Sequence, residues 1–224
     1  HGVTLQLCGA DQWGNSVAGV DLIRRLDGAE AHVYSTPLII NKSTGVKFGK
    51  SEDGAVWLDD SKTSVYAFYQ FWLNVDDVSI TELLRVYTLL DQATIEDLER
   101  QTTENPGARV AQKALAREVT TIVHGAERTA SVERVTSVLF GSTAFESLSD
   151  TDIDVLAHEI PVVALGTSVV DSLVTTGNAS SNGEAKRLIE SGAISVSGVK
   201  VESDRTIDMR SLIKKGKNSF VLVR

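Results

Sequence analysis

The sequence predicts an α/β chain in three parts: a partial doubly wound sheet, an all-helical part and a small α+β part. At the start, a strand, a polar loop, a helix and a second strand follow one another, which is the order of a doubly wound parallel sheet. From residue 60 to about 145, apolar residues recur at helical spacing. After Gly166, two short helices precede short strands and a tight turn.

The first part, residues 1–59, contains only a piece of such a sheet. Residues 3–7 are apolar with β-branched members, which predicts a buried strand. Residues 15–26 carry apolar side chains on one face and stop before Gly28, which predicts a helix. A further strand is expected at residues 32–34. A complete sheet needs more strands, so we expect that the first half of this domain lies upstream of the chain.

Residues 60–145 predict a compact bundle of helices joined by short connections. Helices are expected over residues 61–73, from a capping box at residues 79–82 to residue 90, and over residues 94–99, about 105–123 and 127–140. The aromatic side chains of the first of these helices are expected in the core: Tyr66, Phe68, Tyr69, Phe71 and Trp72.

Residues 146–165 predict a solvated acidic linker with one short helix. This segment contains no lysine or arginine and five acidic residues: Glu146, Asp150, Asp152, Asp154 and Glu159.

The last part, residues 166–224, has the opposite charge balance. It contains nine lysines and arginines against six acidic residues, a net charge of +3 in a chain whose net charge is −8. An acidic body with a basic tail is typical of a protein in which one module contacts RNA. Helices are expected over residues 169–176 and 182–190, and strands over 194–196, 200–201 and 220–223.

Composition excludes several classes of protein and site. No segment approaches the ~20 apolar residues of a membrane-spanning helix. The single cysteine, Cys8, excludes an internal disulfide and is expected to be a small buried side chain. The four histidines do not cluster, and no Cys/His pair is present, so no metal site is predicted.

Two short motifs carry residues suited to a nucleoside triphosphate. The run Lys47-Phe48-Gly49-Lys50-Ser51 places two lysines around a glycine, and lysine meets phosphate as a point charge. A loop with these charges can fold over a triphosphate and neutralise charge that develops during transfer. Upstream, directly after the first predicted strand, residues 9–15 read Gly-Ala-Asp-Gln-Trp-Gly-Asn.

Together these motifs resemble the second half of the Rossmann-like catalytic domain of class I aminoacyl-tRNA synthetases. The Asp-Gln-Trp-Gly-Asn run is similar to the tyrosyl branch of the bacterial type. In that family the lysine loop has the sequence Lys-Met-Ser-Lys-Ser, and the tyrosyl branch also shows the Phe-Gly variant found here. The tract from Ala111 to Gly125 resembles the helical anticodon-recognising domain of the same branch.

The resemblance implies a role for each residue of the upstream motif. Gly9 and Asp11 would hold the ATP ribose, because glycine lets the backbone approach closely and a carboxylate accepts hydrogen bonds from ribose hydroxyls. Gln12 would contact the tyrosine carboxyl region, and Gln6 would lie near the amino-acid pocket. Cys8 stands where the family has glycine.

The lysine loop is the implied catalytic element. Lys47 and Lys50 would lie against the ATP phosphates while the tyrosine carboxylate attacks the α-phosphorus, and the hydroxyl of Ser51 would add a donor. Positioning and charge stabilisation suffice for this step, so no general acid or base is expected.

The resemblance also implies the partners, which are L-tyrosine, ATP and tRNA(Tyr). Mg²⁺ is expected with ATP as substrate, although the sequence shows no protein ligand set for it. We expect a homodimer in the full-length protein, a cytoplasmic location and no membrane association.

The tail carries a second resemblance. The order of residues from Glu184 to Ile194, with Gly198 downstream, resembles the S-four type of RNA-binding fold that is commonly appended to bacterial tyrosyl enzymes. Lys186 and Arg187 lie within this motif and are the expected phosphate contacts, with Lys200 as a further candidate.

Two other functions stay open at this point. One is a catalytically silent RNA-binding protein derived from a synthetase, and the other is the tryptophanyl enzyme. The Gln-Trp-Gly-Asn run and the tail favour tyrosine. The only methionine is Met209, so we expect His1 to be an unnatural start and the chain alone to be inactive, because half of the nucleotide site would be missing.

Overall fold

The computed structural model describes residues 2–40, 42–43, 45, 56–141 and 143–224. These residues form two compact units. The first consists of the chain up to Val56 together with Asp76–Ser79, and the second consists of Trp57–Val75 and Ile80–Arg224.

The first unit is built around a parallel β-α-β arrangement. Strand β1 (Leu5–Gly9) pairs in parallel with β2 (His32–Thr36), with Gly9 opposite Thr36. A short 3₁₀ turn (Ala10–Gln12) leads from β1 into helix α1 (Trp13–Asp27), which ends at Gly28 in the left-handed conformation. The predicted order of strand, loop, helix and strand is confirmed within this unit, but the expected burial of the first strand is wrong, because Leu5 and Leu7 of β1 are exposed.

The helices of the second unit surround α5. They are α2 (Val65–Leu73), α3 (Ile80–Tyr87), α4 (Gln92–Glu104), α5 (Val110–His124) and α6 (Ala126–Phe140). Helix α5 packs against the other four, and its inner face buries Leu115 and Ala116 completely. Helix α4 is longer than predicted at both ends, and at its start Asp91 caps the first turn by accepting a hydrogen bond from the backbone N–H of Thr94.

Three of the five aromatic residues of α2 lie in this core, as predicted, whereas Tyr66 and Phe71 are half-buried. Phe68, Tyr69 and Trp72 are buried. Phe68 meets Trp72 edge-on with ring centroids 6.2 Å apart, and Trp72 packs on Tyr87 at 4.9 Å. These rings stabilise the bundle by apolar burial and by edge-to-face contact.

The C-terminal part of the second unit is a sheet covered by two helices. Its elements after the bundle are α7 (Asp150–Glu159), β3 (Val162–Val163), β4 (Thr167–Ser168), α8 (Val169–Thr175), α9 (Asn182–Glu190), β5 (Ile194–Val196), β6 (Val199–Lys200), β7 (Thr206–Ile207), β8 (Ser211–Lys215) and β9 (Ser219–Val223). The main sheet has the order β3-β9-β8-β5-β6, and β4 pairs separately with β7. Val169, Leu173, Ala185, Ile194 and Ile213 are fully or almost fully buried between these layers.

The expectation of a solvated linker over residues 146–165 is wrong, although the short helix within it is present. Helix α7 buries Ile153 and Leu156. The segment then enters the main sheet, where β3 pairs in parallel with β9. Acidic side chains do not make this segment a free chain, because its apolar side chains at i and i+3 share one buried face.

Candidate nucleotide site

The candidate nucleotide site lies where β1 ends and α1 begins. In parallel α/β sheets, ligands bind outside the carboxyl ends of the strands, and a helix N-terminus there favours anionic groups. Gly9 is the last residue of β1, and Asp11 follows in the 3₁₀ turn that leads into α1. The sequence therefore places both residues of the predicted ribose contact at this edge.

Gly9 and Asp11 are in direct proximity. A Cβ built on Gly9 would stand 2.9 Å from Oδ1 of Asp11 and 3.0 Å from Cδ2 of Leu38. Gly9 has an ordinary extended backbone with φ of −74°, so close approach, and not unusual torsion, is what favours glycine here. The exposed carboxylate of Asp11 folds back over the end of the strand.

The two glutamines lie on either side of this point. Gln6 is exposed on β1 opposite Val33, and Gln12 is exposed at the start of α1. The side-chain oxygen of Gln12 accepts a hydrogen bond from Nδ2 of Asn15 at 3.1 Å. This bond occupies the acceptor end of the amide and leaves its N–H groups available to a carboxylate. The supporting role of Asn15 was not predicted, although a polar pair at i and i+3 on a helix start is a readable signal.

Cys8 lies on the inner side of the strand. Its sulfur accepts a hydrogen bond from the hydroxyl of Ser16, at 3.6 Å, and Ser16 is buried. The thiol therefore joins β1 to α1, although it is half-buried and not fully buried as expected from the sequence.

The lysine loop lies outside the described residues. This applies to Lys47, Lys50 and Ser51, so their roles stay predictions from the sequence.

The predicted RNA contacts lie in the C-terminal part of the second unit. Lys186 and Arg187 are exposed on α9, whose opposite face buries Ala185 and Ile189. Lys200 is exposed on β6, and its amine lies 3.7 Å from the Cβ position of Gly192, just beyond the end of α9. A lysine at this place is also favourable to the helix dipole, which is a structural reason for its presence.

Much of the basic charge of the tail is used within the protein. Arg210 and Arg224 form ion pairs with Asp150 and Asp154 of α7, each at 2.6 Å. Lys214 and Lys215 donate to backbone carbonyl oxygens. The net charge of the tail therefore overstates what it can offer to a phosphate backbone.

The described part of the chain holds no group of three His, Cys, Asp or Glu residues that could bind a metal ion. Within the same residues, no helix combines the length and the apolar run that crossing a membrane would require.

Comparison with known proteins agrees with the position of these motifs. The family described as "tRNA synthetases class I (W and Y)" matches residues 2–141. The domain described as "Tyrosine--tRNA ligase SYY-like C-terminal domain" matches residues 152–224.

Three relatives of the chain are named tyrosine–tRNA ligase. The chain is 43% identical to the tyrosine–tRNA ligase of Streptomyces coelicolor, over all of this chain and 55% of the relative. It is 47% identical to that of Streptomyces griseus, over 90% of this chain and 48% of the relative. It is 41% identical to that of Roseiflexus castenholzii, over all of this chain and 56% of the relative.

The chain thus spans about half the length of these relatives. The family match covers the unit that contains Gly9 and Asp11 together with the helical bundle. The chain therefore belongs to the class I tRNA synthetases of the tryptophan and tyrosine group, and its relatives in that group are tyrosine–tRNA ligases.

Proposed function

We propose that the protein containing this chain is a tyrosine–tRNA ligase, which activates L-tyrosine with ATP and transfers it to tRNA(Tyr). The observation that carries the proposal is the close placement of Gly9 and Asp11 at the carboxyl end of β1. The match of residues 152–224 to a C-terminal domain of tyrosine–tRNA ligases favours tyrosine over tryptophan.

In this proposal the ATP ribose lies over Gly9. The absence of a side chain on Gly9 lets the carboxylate of Asp11 lie against the strand end, where it accepts hydrogen bonds from the ribose hydroxyls. The site is exposed within the described residues, which leaves room for the nucleotide.

The amino acid lies beside the nucleotide. Gln12 donates its amide N–H to the tyrosine carboxyl group while Asn15 holds the other end of the amide. Gln6 lies on the same strand and contributes to the wall of the amino-acid pocket.

The lysine loop supplies the charge for the chemical step. A tyrosine carboxylate oxygen forms a bond to the α-phosphorus, and the bond to the pyrophosphate oxygen breaks. Lys47 and Lys50 stabilise the negative charge on the phosphates, and the hydroxyl of Ser51 donates to them. A ribose hydroxyl at the tRNA terminus then attacks the activated carbonyl and AMP leaves.

Mg²⁺ enters this reaction on the ATP phosphates, as it does at many nucleotide sites that have few protein ligands. We also propose a homodimer and a cytoplasmic location for the complete protein.

The C-terminal part holds the tRNA through an S-four-type fold. Support comes from the exposure of Lys186 and Arg187 on α9 and of Lys200 beside its end. Contacts of this kind position an RNA without reading its sequence.

The test is amino-acid-dependent exchange of pyrophosphate into ATP by the complete protein. We expect exchange with tyrosine and none with tryptophan at equal concentration. Exchange with tryptophan alone would identify the other branch of the family. RNA binding without exchange for either amino acid would identify a silent RNA-binding protein and overturn the proposal.

A further inference from the structure

The helical bundle and the C-terminal sheet share one hydrophobic core. Helix α6 contributes Val135 and Leu139, helix α7 contributes Leu156, and the sheet contributes Phe220 and Leu222. Leu156 and Leu222 are completely buried. Phe140 also meets Phe220 edge-on, with ring centroids 5.6 Å apart. Separating the two parts would expose these side chains to water, which is unfavourable.

A buried charge lies beside this core. Asp152 of α7 has no exposed surface, and its two carboxylate oxygens accept hydrogen bonds from Nη2 and Nε of Arg134 on α6, at 2.8 and 2.9 Å. The hydroxyls of Ser131 and Ser149 donate to the same carboxylate. A bidentate contact between a guanidinium and a carboxylate fixes the relative orientation of the two groups as well as their distance. It therefore sets the direction in which α7 leaves the bundle.

Helix α7 is also tied to the sheet. Asp150 and Asp154 pair with Arg210 and Arg224, and the chain after α7 becomes an edge strand of the sheet. Lys214 of β8 donates to the backbone oxygen of Leu139, at 3.2 Å. Exposed ion pairs such as those of Asp150 and Asp154 contribute little energy singly. The edge strand β3, which pairs with β9, therefore gives α7 its place on the sheet, and losing either exposed ion pair alone should not move the helix.

We propose that Arg134 and Asp152 are positioning residues that hold the C-terminal RNA-contacting part in one orientation on the helical bundle. The proposal rests on the proposed function in one respect, namely that tRNA is the RNA bound. Helix α7 connects the two parts. The Arg134–Asp152 contact fixes its first turn on the bundle, and the sheet fixes its other end. The free protein therefore already holds Lys186 and Arg187 in the arrangement that tRNA meets.

The first test measures orientation without any RNA. In the complete protein, spin labels are placed at Lys113→Cys on α5 and Ser203→Cys before β7, with all other cysteines replaced by serine, and labelled protein is diluted with unlabelled protein. In the labelled protein without a further substitution, called the parent here, we expect one narrow distribution of the distance between the two labels. We expect a clearly broader one after Asp152→Asn, and no broadening after Asp154→Asn, the exposed acid on the same helix. A broad distribution in the parent, or equal widths in the parent and Asp152→Asn, would overturn the proposal.

The second test measures the consequence for tRNA. If loosening leaves about a tenth of the molecules correctly oriented, the apparent affinity for tRNA falls about tenfold. We expect Asp152→Asn to raise the KM for tRNA by about this factor, with tyrosine-dependent pyrophosphate exchange unchanged, and Asp154→Asn to match the parent. An unchanged KM for tRNA together with a broadened distribution would show that orientation is irrelevant to binding and would overturn the functional part.

A milder variant covers the case in which Asp152→Asn misfolds and loses exchange. Ser131→Ala removes one hydrogen bond to the carboxylate and keeps the Arg134 contact. It is expected to show an intermediate broadening and a smaller rise in the KM for tRNA. Parent-like behaviour of Ser131→Ala in both measurements would then count against the proposal. Failure of the proposed function would instead appear as absent exchange in the parent.

Discussion

The carboxylate of Asp11 lies against Gly9 so closely that a methyl group on Gly9 would stand 2.9 Å from Oδ1. Real Cβ atoms essentially never approach other atoms at this distance, so a side chain at position 9 would force the carboxylate of Asp11 to shift. The relationship joins the end of β1 to the turn before α1, which is where a parallel sheet binds nucleotides.

Gly9→Ala should therefore damage the nucleotide site specifically. The new methyl group displaces the Asp11 carboxylate or Leu38, so we expect kcat/KM for ATP in pyrophosphate exchange to fall at least about tenfold, the typical effect of losing one hydrogen bond to a charged group. Tyrosine affinity should change little. Gly19→Ala on α1 is the matched control, since its Cβ meets nothing within 4 Å. Equal kinetics in both variants would show that Gly9 is only a turn residue.

Lys50→Ala tests the catalytic role assigned to the loop. Loss of a contact made in the transition state typically costs roughly 2–4 kcal/mol, so the rate of tyrosyl-adenylate formation should fall by roughly 30- to 1000-fold. Single-turnover kinetics and equilibrium tyrosine binding separate the two effects. The control is Lys62→Ala, an exposed lysine over the ring of Trp57. A loss confined to tyrosine binding, with the chemical step intact, would contradict the role of Lys50.

How far the sequence predicts this fold depends on where the determining contacts lie. Helix α1 and the strands β1 and β2 follow from local apolar patterning and from Gly28, so they were predicted to within two or three residues. Strand β8 was not predicted, since Lys214 and Lys215 give its second half the charge expected of an exposed surface. In the structure the amines of Lys214 and Lys215 donate hydrogen bonds to backbone carbonyl oxygens, and Ile213 of the same strand is buried.

The acidic segment, residues 146–165, shows why contacts between distant residues could not be predicted from the sequence. Charge composition suggested a hydrated linker, but the partner of Asp152 is Arg134, 18 residues away, and that of Asp154 is Arg224, 70 residues away. Local signals of α7 were nevertheless present. Ser149 and Asp152 form a capping box, and Ile153 and Leu156 have helical spacing. At the site, residue types and order were readable, and the i, i+3 spacing of Gln12 and Asn15 was a further signal that had not been used.

Asp152→Asn should also lower the free energy of unfolding of the second unit. Breaking a buried ion pair is strongly destabilising, and because Arg134 is half-exposed we expect about 2–4 kcal/mol, measured by urea unfolding at pH 7. Asp154→Asn, an exposed acid, should change stability by less than about 1 kcal/mol. Equal effects of the two substitutions would show that burial of Asp152 is energetically unimportant.

The same contact predicts a pH dependence. Burial alone would raise the pKa of Asp152, but hydrogen bonds from Arg134, Ser131 and Ser149 outweigh it and hold the pKa well below its usual range. A lowered pKa in the folded state stabilises above the unfolded value of about 3.9, and this contribution is lost as pH falls toward the folded value. The stability difference between the parent and Asp152→Asn should thus be constant above about pH 5 and shrink below about pH 4. A difference that grows in acid would contradict this assignment.

Lys186→Glu combined with Arg187→Glu tests the RNA-facing side of α9. Each phosphate contact contributes about −0.9 to the slope of log K against log salt on duplex and about −0.7 on single strands, so the slope for tRNA binding should flatten by roughly 1.4–1.8. Arg24→Glu with Arg25→Glu on α1 changes net charge equally and serves as the control. Unchanged affinity at every salt concentration would mean that Lys186 and Arg187 are solvated surface.

The most direct test of the proposed nucleotide site combines Asp11→Ala with deoxy analogues of ATP. Pyrophosphate exchange is measured in the complete protein with ATP, 2′-deoxy-ATP and 3′-deoxy-ATP, in the parent, in Asp11→Ala and in the control Asp21→Ala, which removes an acid that pairs with Arg24 and Arg25 on α1. If Asp11 binds the ribose, the parent and the control should disfavour at least one deoxy analogue by roughly tenfold or more, and Asp11→Ala should use that analogue as well as ATP. Parent-like discrimination by Asp11→Ala against both analogues would contradict the proposed nucleotide site.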